Sequence, residues 1–151
     1  MKRIVLVLLP VVLSAAAPAG FVYWSGKDLK NYEQTLKPKM NELKVGTEQF
    51  GAWDNHSAMI AHREGDGEAE IHQTVADFFV VQSGEATLVI GGDVPGAKTT
   101  APNELRGPKI AGGERRKLAA GDMVHIPVKV PHQLLVEKGK QFTYFVIKVQ
   151  K

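Results

Sequence analysis

The sequence of 151 residues contains no cysteine. A disulfide framework and a lipid-modified cysteine are therefore both excluded. Stability must come from the packing of apolar residues, which make up 44% of the sequence, with a bound metal as a further possible source. A chain of this length can bury a substantial hydrophobic core, and we expect one domain.

The chain also lacks a large excess of charge of either sign. Its 19 basic and 16 acidic residues give a formal net charge of +3, which falls to +1 if a segment carrying Lys2 and Arg3 is removed. A near-neutral domain gives no electrostatic reason to expect nucleic acid as a partner. No nucleophile elbow, phosphate-binding glycine loop or dinucleotide fingerprint is present.

The chain also has no charged residue between Ile4 and Gly26. Lys2 and Arg3 precede this stretch, residues 4–13 are apolar, and Ala17-Pro18-Ala19 resembles a cleavage site, so residues 1–19 are typical of a signal peptide.

An uncleaved membrane anchor that extends to about residue 25 is the alternative, with Tyr23 and Trp24 placed like interfacial anchors. Pro10 weakens the spanning interpretation, and Pro18 weakens cleavage. Both interpretations predict that the remainder is exported, as a periplasmic or secreted protein, with or without the anchor.

Residues 27–45 carry the pattern of a helix. Apolar residues recur at spacings of three and four positions, namely Leu29, Tyr32, Leu36, Met40 and Leu43. Ser25 and Asp28 have the spacing of a capping box, and Pro38 should kink or split the helix at Lys37. We expect this helix to lie against the main domain or a partner subunit.

Residues 46–151 have the pattern of an all-β domain. Short β-rich runs are separated by turn residues, and they read SAMIAHRE, EAEIHQ, ADFFVVQS, EATLVIGG, DMVHIP, HQLLVE and FTYFVIKV. Runs at this density predict a sandwich or barrel. The segment 91–122 is rich in glycine and proline and reads as a long loop, either a functional lid or a mobile surface insertion. Its basic residues, among them Arg106, could meet an anionic ligand.

Metal-capable side chains occur just ahead of an apolar run. Glu70 and His72 are two positions apart on a predicted strand, so both point to the same face. Asp77 would lie on the opposite face of a straight strand, and a turn between Thr74 and Ala76 must intervene if it is to join them. His132 opens a later strand after a turn bracketed by proline, which is a rigid place for a ligand.

At these residues the sequence resembles the cupin superfamily of small β-barrels. Glu70, His72, Asp77 and Gly84 match the spacing of the first cupin motif, and Gly121, Pro127 and His132 match the second. The resemblance covers about half of the chain, roughly residues 65–136. The sequence departs from the two cupin motifs at five positions. Glu70 replaces the first histidine, Asp77 replaces the glutamate, Lys129 replaces the second glycine of the second motif, Val136 replaces its terminal asparagine, and the leading glycine of the first motif is displaced to Gly65.

The resemblance implies a cupin-type barrel (double-stranded β-helix or jelly roll) with one divalent metal at its mouth. Glu70, His72 and His132 would be metal ligands, with Asp77 as a fourth ligand or as a partner bonded through water. Imidazole and carboxylate suit Mn, Fe, Zn or Ni. Asp77 and His125 are the candidate general acids or bases, although His125 is a surface residue if Val124 and Ile126 fill the core.

Two functions remain open on the sequence alone. The first is a metal-dependent enzyme of the lyase, isomerase or dioxygenase type that acts on a small organic substrate. The second is a non-catalytic module that binds a small molecule or sugar. The non-catalytic class also includes a degenerate cupin that binds no metal and serves in assembly. The resemblance also implies a homodimer, because cupin barrels often pair through their outer sheets.

Overall fold

The computed structural model describes residues 17–151. The predicted signal peptide therefore lies almost wholly outside the described residues, and export stays a prediction. Within residues 17–151, no helix is both long enough and apolar enough to cross a bilayer.

One α-helix and ten strands make up the regular structure of the described part of the chain. Helix α1 spans Gly26–Leu36, and a short 3-10 turn follows at Lys37–Lys39. The strands are β1 (Val45–Ala52), β2 (His56–Arg63), β3 (Ala69–His72), β4 (Val75–Ile90), β5 (Lys98–Ala101), β6 (Glu104–Gly107), β7 (Glu114–Ala119), β8 (Met123–Ile126), β9 (His132–Leu135) and β10 (Phe142–Gln150). The predicted all-β fold with a short preceding helix is confirmed.

Strand β4 belongs to two antiparallel sheets. Its first half pairs with β10 and β8, and the first sheet continues from β10 to β2 and β1. Its second half pairs with β7 and β9, and the second sheet continues from β9 to β3, β6 and β5. The two sheets curl toward each other, so their inward faces enclose a common interior.

Gly84 marks the passage of β4 from one sheet to the other. Its φ of +78° lies in the left-handed region, and a Cβ at this position would be 1.9 Å from the carbonyl oxygen of Gln141. The sequence pattern predicted two strands here, ADFFVVQS and EATLVIGG. The structure joins them into one bent strand because glycine accepts this backbone conformation and this close approach.

Helix α1 ends at the break that Pro38 predicted, although the apolar spacing continues to Leu43. The Ser25–Asp28 capping box is present, but the helix stops at Leu36, and Pro38 lies in the 3-10 turn. Proline cannot continue the hydrogen-bonding ladder of a helix. Leu36 is fully buried, and the chain then turns into β1, a strand that the sequence pattern did not single out.

The prediction of a long loop over residues 91–122 was wrong. This segment contains β5, β6 and β7, and β6 pairs with β3 along its whole length. Most of its glycine and proline residues lie in the connections between these short strands. The segment therefore completes the second sheet, and β6 forms part of the wall of the interior.

The hydrophobic core fills the end of the interior near the bend of β4. It contains Phe79, Val81, Ala86 and Leu88 of β4, Phe142, Tyr144 and Val146 of β10, and Ala61, Leu118, Ile126, Leu134 and Val136 from other elements. Alternation along each strand points these side chains inward. The same alternation, continued toward the other end, points polar residues inward.

A substitution at Gly84 tests the bend. We expect Gly84→Ala to lower the free energy of unfolding by about 2 to 5 kcal/mol, from a left-handed cost of about 1 to 2 kcal/mol and overpacking against Gln141. Gly96→Ala is the matched control, because Gly96 has a φ of +75° but nothing within 4 Å of the added Cβ. Chemical denaturation measures both. Equal losses would show that the close approach at Gly84 carries no energetic weight.

Candidate metal centre

Two paired strands bring three metal-capable side chains together. Glu70 and His72 share one face of β3 because they are two positions apart, and His132 of β9 is the register partner of Glu70. One ligand atom from each of the three residues lies within 4.8 Å of the other two. The pairing of β3 with β9 thus joins residues that are distant in sequence.

Asp77 reaches the same place from the start of β4. The chain bends at residues 73–74 between β3 and β4. A turn before Asp77 was needed for it to share a face with Glu70 and His72, and Asp77 indeed faces inward with Phe79. Asp77 Oδ2 is 3.2 Å from His72 Nε2 and 3.7 Å from His132 Nε2. Asp77 therefore contacts both imidazoles, although it lies outside the group of three defined above.

Hydrogen bonds at Nδ1 orient both histidines. His72 Nδ1 is 2.5 Å from Glu104 Oε2 on β6, and His132 Nδ1 is 3.2 Å from the carbonyl oxygen of Val130. Both partners are acceptors, so they favour the tautomer with the proton on Nδ1. Each Nε2 is then left with its lone pair directed at the cluster. Carboxylate or carbonyl partners of this kind typically hold metal-binding histidines.

Three cations balance the buried carboxylates. Arg106 donates to Glu70 Oε1 at 2.6 Å, and Arg63 approaches the same oxygen at 3.9 Å while its Nε donates to Tyr144 Oη at 3.1 Å. Lys148 of β10 donates to Asp77 Oδ1 at 2.9 Å. Without these partners the burial of two carboxylates would carry a large desolvation penalty.

The neighbouring cations keep the buried carboxylates of the cluster ionised. Burial acts to raise the pKa of Glu70, but Arg106 and the other cations outweigh it, and the pKa is lowered. Burial likewise opposes ionisation of Asp77, yet hydrogen bonding to His72 and the charge of Lys148 lower its pKa. Both carboxylates are therefore ionised at neutral pH.

The pKa values of the two histidines are shifted in opposite directions. Burial lowers the pKa of His132, so its neutral form is favoured. Burial also acts to lower the pKa of His72, but its hydrogen bond to Asp77 and the nearby carboxylates reverse this effect and raise it. A proton, an ammonium group or a metal ion would each satisfy the field around His72.

A cavity of about 470 Å³ opens beside the cluster. Glu70, His72 and Asp77 line it together with Arg63, Arg106, Lys148, Glu104 and Tyr144, and its remaining wall is largely apolar. This volume is within the range of small-molecule sites in proteins.

The donor set fits a divalent transition-metal ion. Two ligands that each lie about 2.1 Å from one ion are separated by roughly 3 to 4 Å. His72 Nε2 lies 3.5 Å from Glu70 Oε2 and 3.2 Å from Asp77 Oδ2, both within that range. Imidazole nitrogen and carboxylate oxygen together suit Mn, Fe, Zn or Ni. The hydrogen bonds that orient both histidines through Nδ1 are also typical of histidines that bind a metal ion.

The structure thus brings together Glu70, His72, Asp77 and His132, but it does not bring His125 to them. His125 is exposed, stacks on Phe78 at a centroid distance of 4.5 Å and is not among the residues that line the cavity. Its register partner is Phe78, whereas Asp77 and Phe79 face inward. This matches the surface alternative that the sequence left open for His125.

Sequence reasoning missed Glu104, Arg63 and Lys148. Lys148 follows Tyr144 and Val146 at intervals of two on β10, and Arg63 follows Met59 and Ala61 on β2. A charged residue that continues an apolar face signals a polar interior, and this signal was available in the sequence. Glu104 carried no such signal, because its strand lay in the segment interpreted as a loop.

Comparison with known proteins identifies the fold. No protein-family model matches the chain, and no curated protein matches it in sequence. Among solved structures, the DMSP lyase DddQ from Ruegeria pomeroyi matches with a TM-score of 0.53 and 16% identity, over 72% of this chain and 48% of that one. The chain therefore spans about half the length of that lyase.

Two other solved structures are covered more fully. KdgF from Halomonas sp. has a TM-score of 0.53 and 13% identity, over 73% of this chain and 83% of that one. A conserved Klebsiella pneumoniae protein with a double-stranded beta-helix domain has a TM-score of 0.54 and 15% identity, over 73% and 80% of the two chains. At these identities the likeness shows the fold, which is the cupin-type double-stranded β-helix.

The role of Glu104 can be tested through metal affinity. We expect Glu104→Gln to weaken metal binding by about 10- to 100-fold, because the amide holds the Nδ1 proton of His72 less strongly than a carboxylate does. Calorimetric titration with Zn²⁺ measures the change. Glu114→Gln on exposed β7 is the control and should leave the affinity unchanged. Equal affinities of all three proteins would refute the orienting role.

The lowered pKa values of Glu70 and Asp77 predict acid sensitivity. Their contribution to stability is present above the ordinary values of 4.5 and 3.8 and is lost as the pH falls through the lower folded values. We expect the free energy of unfolding of the metal-free protein to fall below about pH 4.5. The double variant Glu70→Gln, Asp77→Asn should be less stable at pH 7 and lose less on acidification. An unchanged slope in denaturation measured between pH 5 and 3 would contradict this assignment.

Proposed function

We propose that this chain, which has the cupin fold, is a metal-dependent enzyme that acts on a small organic molecule. A single divalent transition metal would be held by Glu70, His72 and His132, with Asp77 as a fourth ligand or a hydrogen-bonding partner. The observation that carries the proposal is the convergence of these side chains beside a cavity of about 470 Å³, which Glu70, His72 and Asp77 line.

A bound divalent ion would supply Lewis-acid polarisation of an oxygen atom on the substrate. The protein residues have separate tasks. The guanidinium of Arg106 donates a hydrogen bond to Oε1 of Glu70, whereas Oε2 faces His72 and would be the oxygen that binds the metal. Glu104 and the carbonyl of Val130 hold the two imidazoles in orientation. Asp77 is the candidate proton acceptor, because its lowered pKa keeps it ionised.

Tyr144 gives the cavity a polar group beyond the ligand set. Its phenol accepts a hydrogen bond from Arg63, which leaves the hydroxyl proton available to a bound molecule. Burial raises the pKa of Tyr144, so the phenol stays protonated at neutral pH and acts as a donor. The apolar side chains of Met59, Phe79 and Val146 complete a surface suited to a small organic substrate.

Similarity of fold does not select the reaction, because cupin-type structures include a DMSP lyase and a polyketide cyclase. We therefore propose the lyase, isomerase or dioxygenase type without choosing among them. A non-catalytic binding module would use the same cavity, and turnover of a bound compound distinguishes the two. The homodimer and the export of the protein stay predictions.

Metal content tests the proposal directly. We expect the full-length protein to bind about one equivalent of a transition metal, and we expect the double variant His72→Ala, His132→Ala to bind none, because both nitrogen ligands are lost. Elemental analysis after dialysis measures both. His125→Ala removes an exposed histidine outside the cavity and should retain the wild-type content.

Absence of metal from the wild type, even after incubation with Mn, Fe, Zn and Ni, would refute the metal-dependent function. Metal that persists in the double variant would place the site elsewhere.

A further inference from the structure

Lys148 reaches into the ligand set of the candidate metal centre. Its Nζ lies 2.9 Å and 3.2 Å from the two carboxylate oxygens of Asp77 and 3.1 Å from His72 Nε2. The Asp77 side chain is 2% exposed, whereas that of Lys148 is 29% exposed and lines the cavity. The ammonium therefore contacts two of the candidate ligands directly, while the lysine side chain as a whole is partly exposed at the cavity.

The ammonium and a metal ion would need the same lone pair. When His72 is neutral and its Nδ1–H donates to the Glu104 carboxylate, Nε2 keeps one lone pair directed at the cluster. That lone pair accepts a hydrogen bond from Lys148 or binds a metal ion, and it cannot do both. The two positive charges would also repel each other strongly in the protein interior.

We infer that Lys148 is an internal cation that competes with the metal for His72 and Asp77. It compensates the buried Asp77 carboxylate while the metal is absent, and metal binding moves its ammonium out of the ligand set toward the cavity. This inference rests on the metal centre of the proposed function. The inference goes beyond the proposed function because it names a residue, Lys148, that sets the affinity of the site for its metal.

Removal of the positive charge tests the competition. We expect Lys148→Met and Lys148→Gln to bind Zn²⁺ and Mn²⁺ about 10- to 100-fold more tightly than the wild type in calorimetric titration of the metal-free full chain. Lys140→Met is the control, since Lys140 is exposed and pairs with Glu85 at the surface, and its affinity should not change. The metal-free Lys148 variants should also unfold at a lower temperature, because Asp77 loses its partner.

The wild-type protein gives a second measurement that does not depend on a variant folding. Reductive methylation of Lys148, followed by mass spectrometry, should accelerate when Zn²⁺ is added, because the ammonium leaves the ligand set. Methylation of Lys140 in the same sample should be unaffected. An unchanged rate at Lys148 in the presence of bound Zn²⁺ would overturn the inference.

The outcomes separate this inference from the proposed function. Equal or weaker metal affinity in the Lys148 variants would overturn the competition and leave the metal centre intact. Binding by the variants but not by the wild type would support the competition and refute a metal-dependent function, since Lys148 would then replace the metal. Absence of binding in every protein would refute both.

Discussion

Burial of Glu70 and Asp77 inside the barrel is the constraint on which the site depends. A buried carboxylate is tolerated only when a cation or strong hydrogen-bond donors lie beside it. Arg106 and Lys148 meet this requirement for Glu70 and Asp77 respectively. The imidazoles of His72 and His132 lie between the carboxylates and are oriented by their own acceptors. The result is a polar cluster in which ionised carboxylates, cations and imidazoles contact one another beside the cavity.

The fold makes this cluster possible by placing it at the end of the interior away from the apolar core. Strand β4 carries Asp77 near its start and core residues such as Leu88 in its second half, and it belongs to both sheets. Strand β10 shows the same gradient from Phe142 to Lys148. One end of the barrel therefore supplies the stability of the domain, and the other end holds charged groups next to a cavity.

The sequence predicted much of the fold and part of the site for identifiable reasons. The alternation of apolar residues and the turn residues between the runs indicated an all-β domain, and the spacing of Glu70, His72, Asp77 and His132 indicated which side chains would converge. The same reasoning failed at residues 91–122, where β6 forms by pairing with β3 rather than from any local pattern. It did anticipate the break of the helix at Pro38, where the apolar spacing continues although the helix cannot.

The strand periodicity, the turns and the chemical identity of the metal-capable residues depend on neighbouring residues and on side-chain type, so they could be predicted from the amino-acid sequence. Which charges stand next to one another depends on how the strands pair in three dimensions. Arg106 and Glu104 reach the site through the pairing of β6 with β3, and Lys148 reaches Asp77 across the pairing of β10 with β4. Electrostatic partnership acts through space over a few ångströms, so it follows from strand pairing and not from position along the chain.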